Sequence, residues 1–261
     1  GALGEALATR LVSAAAEVVL LCRSSERGEA AAARIIARSG SAASSCRCVE
    51  LDLFDLDAVR AFADGWCASS SGLRKLHGLI NCASVFFAPF ALTPAGVESH
   101  FAVHLGHFLL TARLLEPLVR TAREESRRLS GAAAGGCGGH HHHHHHVKKG
   151  AVVNITSALH YWSYRERRLV HTQHLQFQRA AHPYMYSPLN AYAFAKLAAV
   201  MHARELHRRC RMSGVPVRAC AVDPGFFGRE PVQALEAWPL GGALNAALRW
   251  AGLDRALRLR R

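Results

Sequence analysis

Tyr192 and Lys196 stand four residues apart in an apolar stretch, Tyr-Ala-Phe-Ala-Lys, and Ser157 closes a strand-like run upstream. On a helix that spacing puts both side chains on one face, one turn apart. A phenol beside an ammonium ion is a proton donor whose pKa the cation draws down. A nearby serine hydroxyl can hydrogen-bond a substrate oxygen. The trio suits reduction of a carbonyl, or oxidation of an alcohol, wherever a hydride carrier sits opposite. Tyr-x-x-x-Lys alone is common in helices, so its meaning depends on the elements that position it.

Those elements alternate. Residues 1–11 read as a Gly turn opening an amphipathic helix. Residues 17–23 are a short apolar run suited to a buried parallel strand. Ser24 or Ser25 caps an Ala-rich helix to about residue 39. Further strands are predicted over 46–53, 76–81, 151–157 and 215–222, and further helices over 56–69, from Pro94 to about 128, and over 190–212. Strands alternating with helices of this length predict an α/β fold, a doubly wound parallel sheet of Rossmann type. Residues 130–149, Gly-rich with seven consecutive histidines (140–146), are low in complexity and read as a surface insertion. A flexible tract fixes no coordination geometry, so no catalytic metal is assigned. Residues 158–190 form a long aromatic-rich connection.

At 261 residues, half of them hydrophobic, the chain suits one large domain with a sizeable core. No apolar run reaches the length of about 18 that spans a bilayer. The eight cysteines are scattered without Cys-x-x-Cys spacing, which points to reduced thiols and a cytoplasmic chain, or one held at a membrane through residues upstream. The net charge of +13, carried mostly by Arg, has no helix-turn-helix, zinc-finger or RNA-binding signature beside it. Nucleic acid is therefore not expected as a partner. An anionic phosphate cofactor or lipid head groups fit the charge better, which leaves peripheral membrane contact open.

In order and kind these pieces resemble the short-chain dehydrogenase/reductase family, with a closer likeness to its retinol-dehydrogenase-like and WW-domain-oxidoreductase-like branch. The resemblance runs from Gly1 to about Glu230. It is carried by Leu-Cys-Arg-Ser at 21–24, Leu-Asp-Leu at 51–53, Asn-Cys-Ala-Ser at 81–84 and His-Leu-Gly-His-Phe at 104–108. Val-Asn-Ile-Thr-Ser at 153–157, the Tyr192/Lys196 pair and Asp-Pro-Gly at 223–225 complete it. It implies a single NAD(P)-binding domain over 1–261 with Ser157, Tyr192 and Lys196 as catalytic residues. The cofactor would be held by Gly1, Gly4, Arg23, Asp52, Leu53, Asn81, Ala83, Lys196, Pro224 and Gly225. Several of these fall at predicted carboxyl ends of strands, where such sheets bind ligands. The strand at 17–23 ends in Cys22-Arg23 with no carboxylate for ribose hydroxyls, so NADP(H) is expected over NAD(H). Phe86, Phe87, Phe90 and the 158–190 aromatics would wall an apolar pocket, for a lipophilic carbonyl or alcohol of the retinoid, steroid or fatty type.

The chain also departs from the family. Its sequence begins inside the Gly-rich loop, so the family's central first strand is expected to be missing from these residues. Ala2 stands at the second loop Gly, and Ser84 at the last Gly of Asn-Asn-Ala-Gly. The Asn that serves the family's proton relay is absent before His104, and a one-residue deletion would turn one half of that helix by about 100° unless it rewinds locally. Two readings follow: an NADP(H)-dependent oxidoreductase, or a catalytically silent domain kept for binding or scaffolding. Oligomeric state is open.

Overall fold

A computed structural model describes residues 1–40, 42, 45–68, 75–134, 149–165 and 186–225. Its elements run α1 (Ala2–Ser13), β1 (Val18–Cys22), α2 (Ser25–Ser39), β2 (Cys46–Glu50), α3 (Leu56–Cys67), β3 (Gly78–Asn81), α4 (Ser99–Ala134), β4 (Gly150–Ile155), α5 (Trp162–Arg165), α6 (Pro188–Met212) and β5 (Val217–Val222). All strand pairs are parallel. The α/β alternation predicted from periodicity is therefore present, with most boundaries within two residues.

Local chemistry sets the ends of the helices. Ser24, Asp55 and Ser187 each accept a backbone N–H as N-caps of α2, α3 and α6. Gly40 closes α2 in the left-handed region, at φ 65°. Three expected boundaries move. The strand expected to reach residue 53 stops at Glu50, because the Asp52 carboxylate accepts the Phe54 amide and turns the chain. The helix expected from Pro94 begins at Ser99, because residues 92–98 form a turn closed by a Leu92–Glu98 bridge, with Gly96 at φ 75°. It then runs to Ala134 rather than about 128. It is also helical throughout 101–108, so the missing residue there causes no rewinding. The seven-histidine tract and residues 166–185 of the long aromatic-rich connection lie outside the described residues.

The sheet comes in two hydrogen-bonded pieces, β1–β2 and β3–β4–β5. Helices cover both faces. On one, Ala8 and Val12 of α1 and Ala32 and Ile35 of α2 pack with Val18, Leu20 and Cys46. On the other, Val59 and Ala63 of α3 meet Leu110 and Leu114 of α4 over Leu21 and Leu79. Leu118 of α4 and Cys210 of α6 continue that layer over Val152, Val217 and Ala219. Burial of apolar side chains, at roughly 1.5–3 kcal/mol each, is the main force holding these layers. Within each piece the carboxyl ends point the same way, so the loops after Cys22 and Glu50 share an edge, as do those after Asn81, Ile155 and Val222.

Gly106 marks where α4 crosses the first of these edges. A β-carbon there would sit 2.5 Å from the Leu53 carbonyl oxygen and 2.8 Å from Leu53 Cβ. Backbone cannot yield as a flexible side chain does. Gly106→Ala should therefore push α4 off the 51–53 turn and lower stability by about 1–3 kcal/mol in chemical denaturation. A variant as stable as wild type would mean that the close approach is not what fixes α4.

Candidate active site

Helix α6 can lie close to the sheet because its inner face is built from small residues. Ala191, Ala193, Ala195, Ala199 and Ala203 are all buried. Tyr192 and Lys196 sit among them, 8% and 6% exposed. The Lys196 ammonium donates to the Ile155 carbonyl at 3.1 Å, and the Thr156 hydroxyl donates to the Lys196 carbonyl at 3.0 Å. These two bonds fasten the helix turn to the end of β4. Lys196 Nζ lies 5.3 Å from the centroid of the Tyr192 ring. The Ser157 and Ser84 hydroxyls lie near enough to the phenol to favour its ionised form. Ser157 lies just past β4 rather than within it, and its hydroxyl also accepts the Leu159 amide at the head of a short 3-10 turn. The three groups singled out by type and spacing thus converge.

The electrostatics differ in one respect from the sequence expectation. The cation was expected to draw the phenol's pKa down. Instead burial raises the Tyr192 pKa, against the pull of Ser157 and Ser84, and Asp223 adds to the rise. Phe86 stands edge-on to the Tyr192 ring at 4.9 Å and Phe87 lies 6.2 Å away, which accounts for the dry surroundings. Lys196 itself is drawn down to about 8 by burial, with Cys82 and Asp223 holding it up. A protonated phenol beside a readily titrated ammonium is a proton donor at neutral pH.

The residues expected at the cofactor lie at the start of α1 and at the strand ends. Gly1 is the N-cap position of α1 and has no side-chain cap. A β-carbon on Gly4 would come to 3.7 Å from Cys82 Sγ, so α1 begins beside the end of β3. Arg23 is exposed immediately after β1. Asp52 and Leu53 form the turn after β2. Asn81 ends β3, and Ala83 lines a cavity with Lys196 and Asn154. Pro224 and Gly225 follow β5, where the Gly225 amide donates to Asp223 Oδ1 at 2.9 Å. An uncapped helix start and a row of strand ends suit an anionic dinucleotide. Buried Asn81 Oδ1 has no hydrogen-bond partner among the described residues, a further polar atom open to a ligand or water there.

Sequence reasoning missed a polar column behind these residues. Asn81 Nδ2 donates to Thr111 Oγ1 at 3.0 Å and to Asn154 Oδ1 at 2.8 Å. Asn154 Nδ2 donates to the Ala199 carbonyl at 3.0 Å and lies 3.3 Å from His202 Nδ1. The column ties β3, β4, α4 and α6 together. Its one sequence signal was a polar Asn inside the apolar run Val-Asn-Ile. His104, at the place of the missing Asn, lines the same cavity as His107 and Lys196. Among the described residues no cluster of His, Cys, Asp or Glu could hold a metal ion, and no helix is long and apolar enough to cross a membrane.

With this geometry in hand, known proteins are informative. No family model matches the chain. Retinol dehydrogenase 12 of Homo sapiens is 34% identical over 232 residues, 88% of this chain and 60% of that protein. A crystal structure of an uncharacterized protein from Mycobacterium paratuberculosis is 30% identical with a TM-score of 0.62, covering 90% of this chain and 68% of that one. A metagenomic short-chain oxidoreductase solved in complex with NADP shares the fold at a TM-score of 0.54 and 21% identity, over 87% of this chain and 78% of that one. The chain belongs to the short-chain dehydrogenase/reductase family and is retinol-dehydrogenase-like. It spans about 60% of the length of that curated human relative.

The buried imidazoles make stability depend on pH. Burial, with His202 and Lys196 adding to it, lowers His104 from the ordinary 6.5 to about 4. Burial, with His104 and Lys196 adding to it, lowers His107 to about 3. Between pH 6.5 and these values the unfolded chain binds more protons than the folded one, so stability falls as pH drops. Glu98, lowered to about 2, adds a further loss below about pH 4.5. We expect urea unfolding to show stability declining from about pH 6.5 towards 4, and His104→Leu/His107→Leu to flatten that decline. A slope unchanged in the double variant would show that these side chains are not buried neutral.

Proposed function

We propose that the protein interconverts a carbonyl and an alcohol on a lipophilic substrate, with NADP(H) as the hydride carrier. The convergence of Ser157, Tyr192 and Lys196 carries this reading. When bound, a nicotinamide cofactor supplies or accepts the hydride. In the reducing direction the Tyr192 hydroxyl gives its proton to the substrate oxygen, and the Ser157 hydroxyl steadies that oxygen. The Lys196 ammonium lies beneath the phenol and stabilises the negative charge left on it. In the oxidising direction the same phenol oxygen takes the proton back. Phe86 and Phe87 offer an apolar wall beside Tyr192, with Phe90 against Tyr186, which supports a lipophilic substrate, as does the likeness to a retinol dehydrogenase.

For the cofactor, Gly1 and Gly4 would admit the pyrophosphate at the start of α1. Asp52 and Leu53 would meet the adenine, and Asn81, Ala83, Pro224 and Gly225 would line the nicotinamide half. Arg23, exposed at the end of β1, would face a 2′-phosphate. One observation favours NAD(H) instead: the Glu50 carboxylate accepts the Ser25 amide at 3.1 Å, close to where ribose hydroxyls would be read. The two are separated by affinity. Arg23→Ala should weaken NADPH binding by about tenfold or more, the worth of a charge-assisted hydrogen bond, and leave NADH nearly unchanged. Wild-type preference for NADH would reverse the assignment.

The chemistry has its own test. Tyr192→Phe should lower turnover of an apolar aldehyde by roughly a hundredfold or more with cofactor affinity retained. A catalytically silent binding domain would instead show cofactor binding and no turnover in wild type and variant alike.

A further inference from the structure

We propose that Glu98, acting through His100 and Tyr186, is a positioning residue that clamps the aromatic 84–90 segment over Tyr192. The proposal deepens the catalytic reading above and rests on it for its kinetic consequences.

Glu98 is 3% exposed and His100 2%. A buried carboxylate needs donors, and this one has five. Oε1 lies 2.7 Å from His100 Nδ1 and accepts the Tyr186 hydroxyl at 2.7 Å, the His100 amide at 3.0 Å and the Ser99 hydroxyl at 3.2 Å. Oε2 accepts the Phe101 amide at 3.0 Å. Two of these are free amides at the start of α4, so the carboxylate is also that helix's cap. Burial works to raise the Glu98 pKa, but the bonds from His100 and Tyr186 overcome it and hold the group ionised, at about 2.

The carboxylate fixes the imidazole. His100 Nε2 accepts the Ala88 amide at 3.3 Å, which puts the ring proton on Nδ1, facing Glu98 and, at 3.0 Å, the Tyr186 oxygen. Ala88 lies between Phe87 and the rest of the segment. Phe87 is held at φ 50°, a conformation that a bulky side chain rarely adopts and that persists only where its surroundings enforce it. Just upstream, Phe86 stands edge-on against the Tyr192 ring and Ser84 favours ionisation of its hydroxyl. On the other side, Tyr186 stacks edge-on against Phe90 at 5.1 Å and leads through Ser187 into α6. The His100 ring itself stands edge-on to Tyr192, at 6.3 Å. One carboxylate therefore joins the 84–90 segment, the start of α4 and the foot of α6 around the reacting phenol. Losing it would free Ser84 and Phe86 to leave Tyr192 without altering the Tyr192–Lys196 turn.

Hydrogen exchange followed by mass spectrometry tests the clamp without requiring turnover. In wild type, the peptide spanning 84–92 should show a protected amide assignable to Ala88. In Glu98→Gln and in His100→Phe, which keeps the ring and removes both bonds, exchange in 84–92 should rise tenfold or more while α6 peptides stay unchanged. His100→Gln, which retains a donor and an acceptor, should return exchange to within about threefold of wild type. On an apolar aldehyde, His100→Phe should raise KM and lower kcat/KM by about tenfold, with His100→Gln restoring most of it. An unprotected Ala88 in wild type, equal loosening across the whole molecule, or His100→Gln as impaired as His100→Phe would overturn the proposal. Absence of turnover in wild type would sink the catalytic reading, and exchange alone would then decide the clamp.

Discussion

A buried ammonium, fastened to a backbone carbonyl, is the constraint from which the rest of this structure follows. Lys196 is taken out of water at the price of its usual pKa, and the bond to Ile155 offsets part of that cost. To make the bond, α6 must approach β4 closely, and its row of buried alanines permits this. The Thr156 hydroxyl and the Asn154 amide then bond carbonyls of the same helix, at Lys196 and Ala199. Tyr192, one turn earlier, is carried to the strand end whether or not a substrate is present. Pre-positioning of this kind is what makes a proton donor effective.

The same edge of the sheet collects polar groups that would be costly elsewhere. Asn81 and Asn154 are both nearly inaccessible, and each is satisfied through its amide nitrogen by the other strand, by α4 or by α6. Unpaired, each would cost on the order of 1–3 kcal/mol. Paired, they fix the register of β3 against β4 and the height of α4 above both. Site geometry and fold stability are thus the same set of contacts seen from two directions. The split between β1–β2 and β3–β4–β5 leaves these contacts intact, because the column lies wholly within the larger piece.

Much of this was legible in the residues. Apolar runs of strand length and capped amphipathic helices gave the α/β order, because both signals are local. Tyr192 and Lys196 were legible for the same reason, sharing one helix face. Ser157 was found by motif, although its place is the turn after β4 rather than the strand. What could not be read depends on distant partners. Burial raises the phenol's pKa, and Phe86 and Phe87, which pack against its ring, lie more than a hundred residues away in sequence, a meeting of which periodicity says nothing. Nothing in the sequence marks Glu98 out, and only the fold brings Tyr186 to it. The late start of α4 at Ser99 has the same origin, since the cap is this carboxylate and not the Pro94 turn.

The central claim is that a phenol, an ammonium and a hydroxyl were brought together to serve hydride transfer. Label transfer tests it most directly: the protein is incubated with an apolar aldehyde and a reduced nicotinamide cofactor deuterated at the transferable position of C4, and the alcohol is analysed by mass spectrometry. One deuterium on the carbinol carbon is the expected result. Alcohol formed without the label, or no alcohol while the cofactor is demonstrably bound, would contradict it.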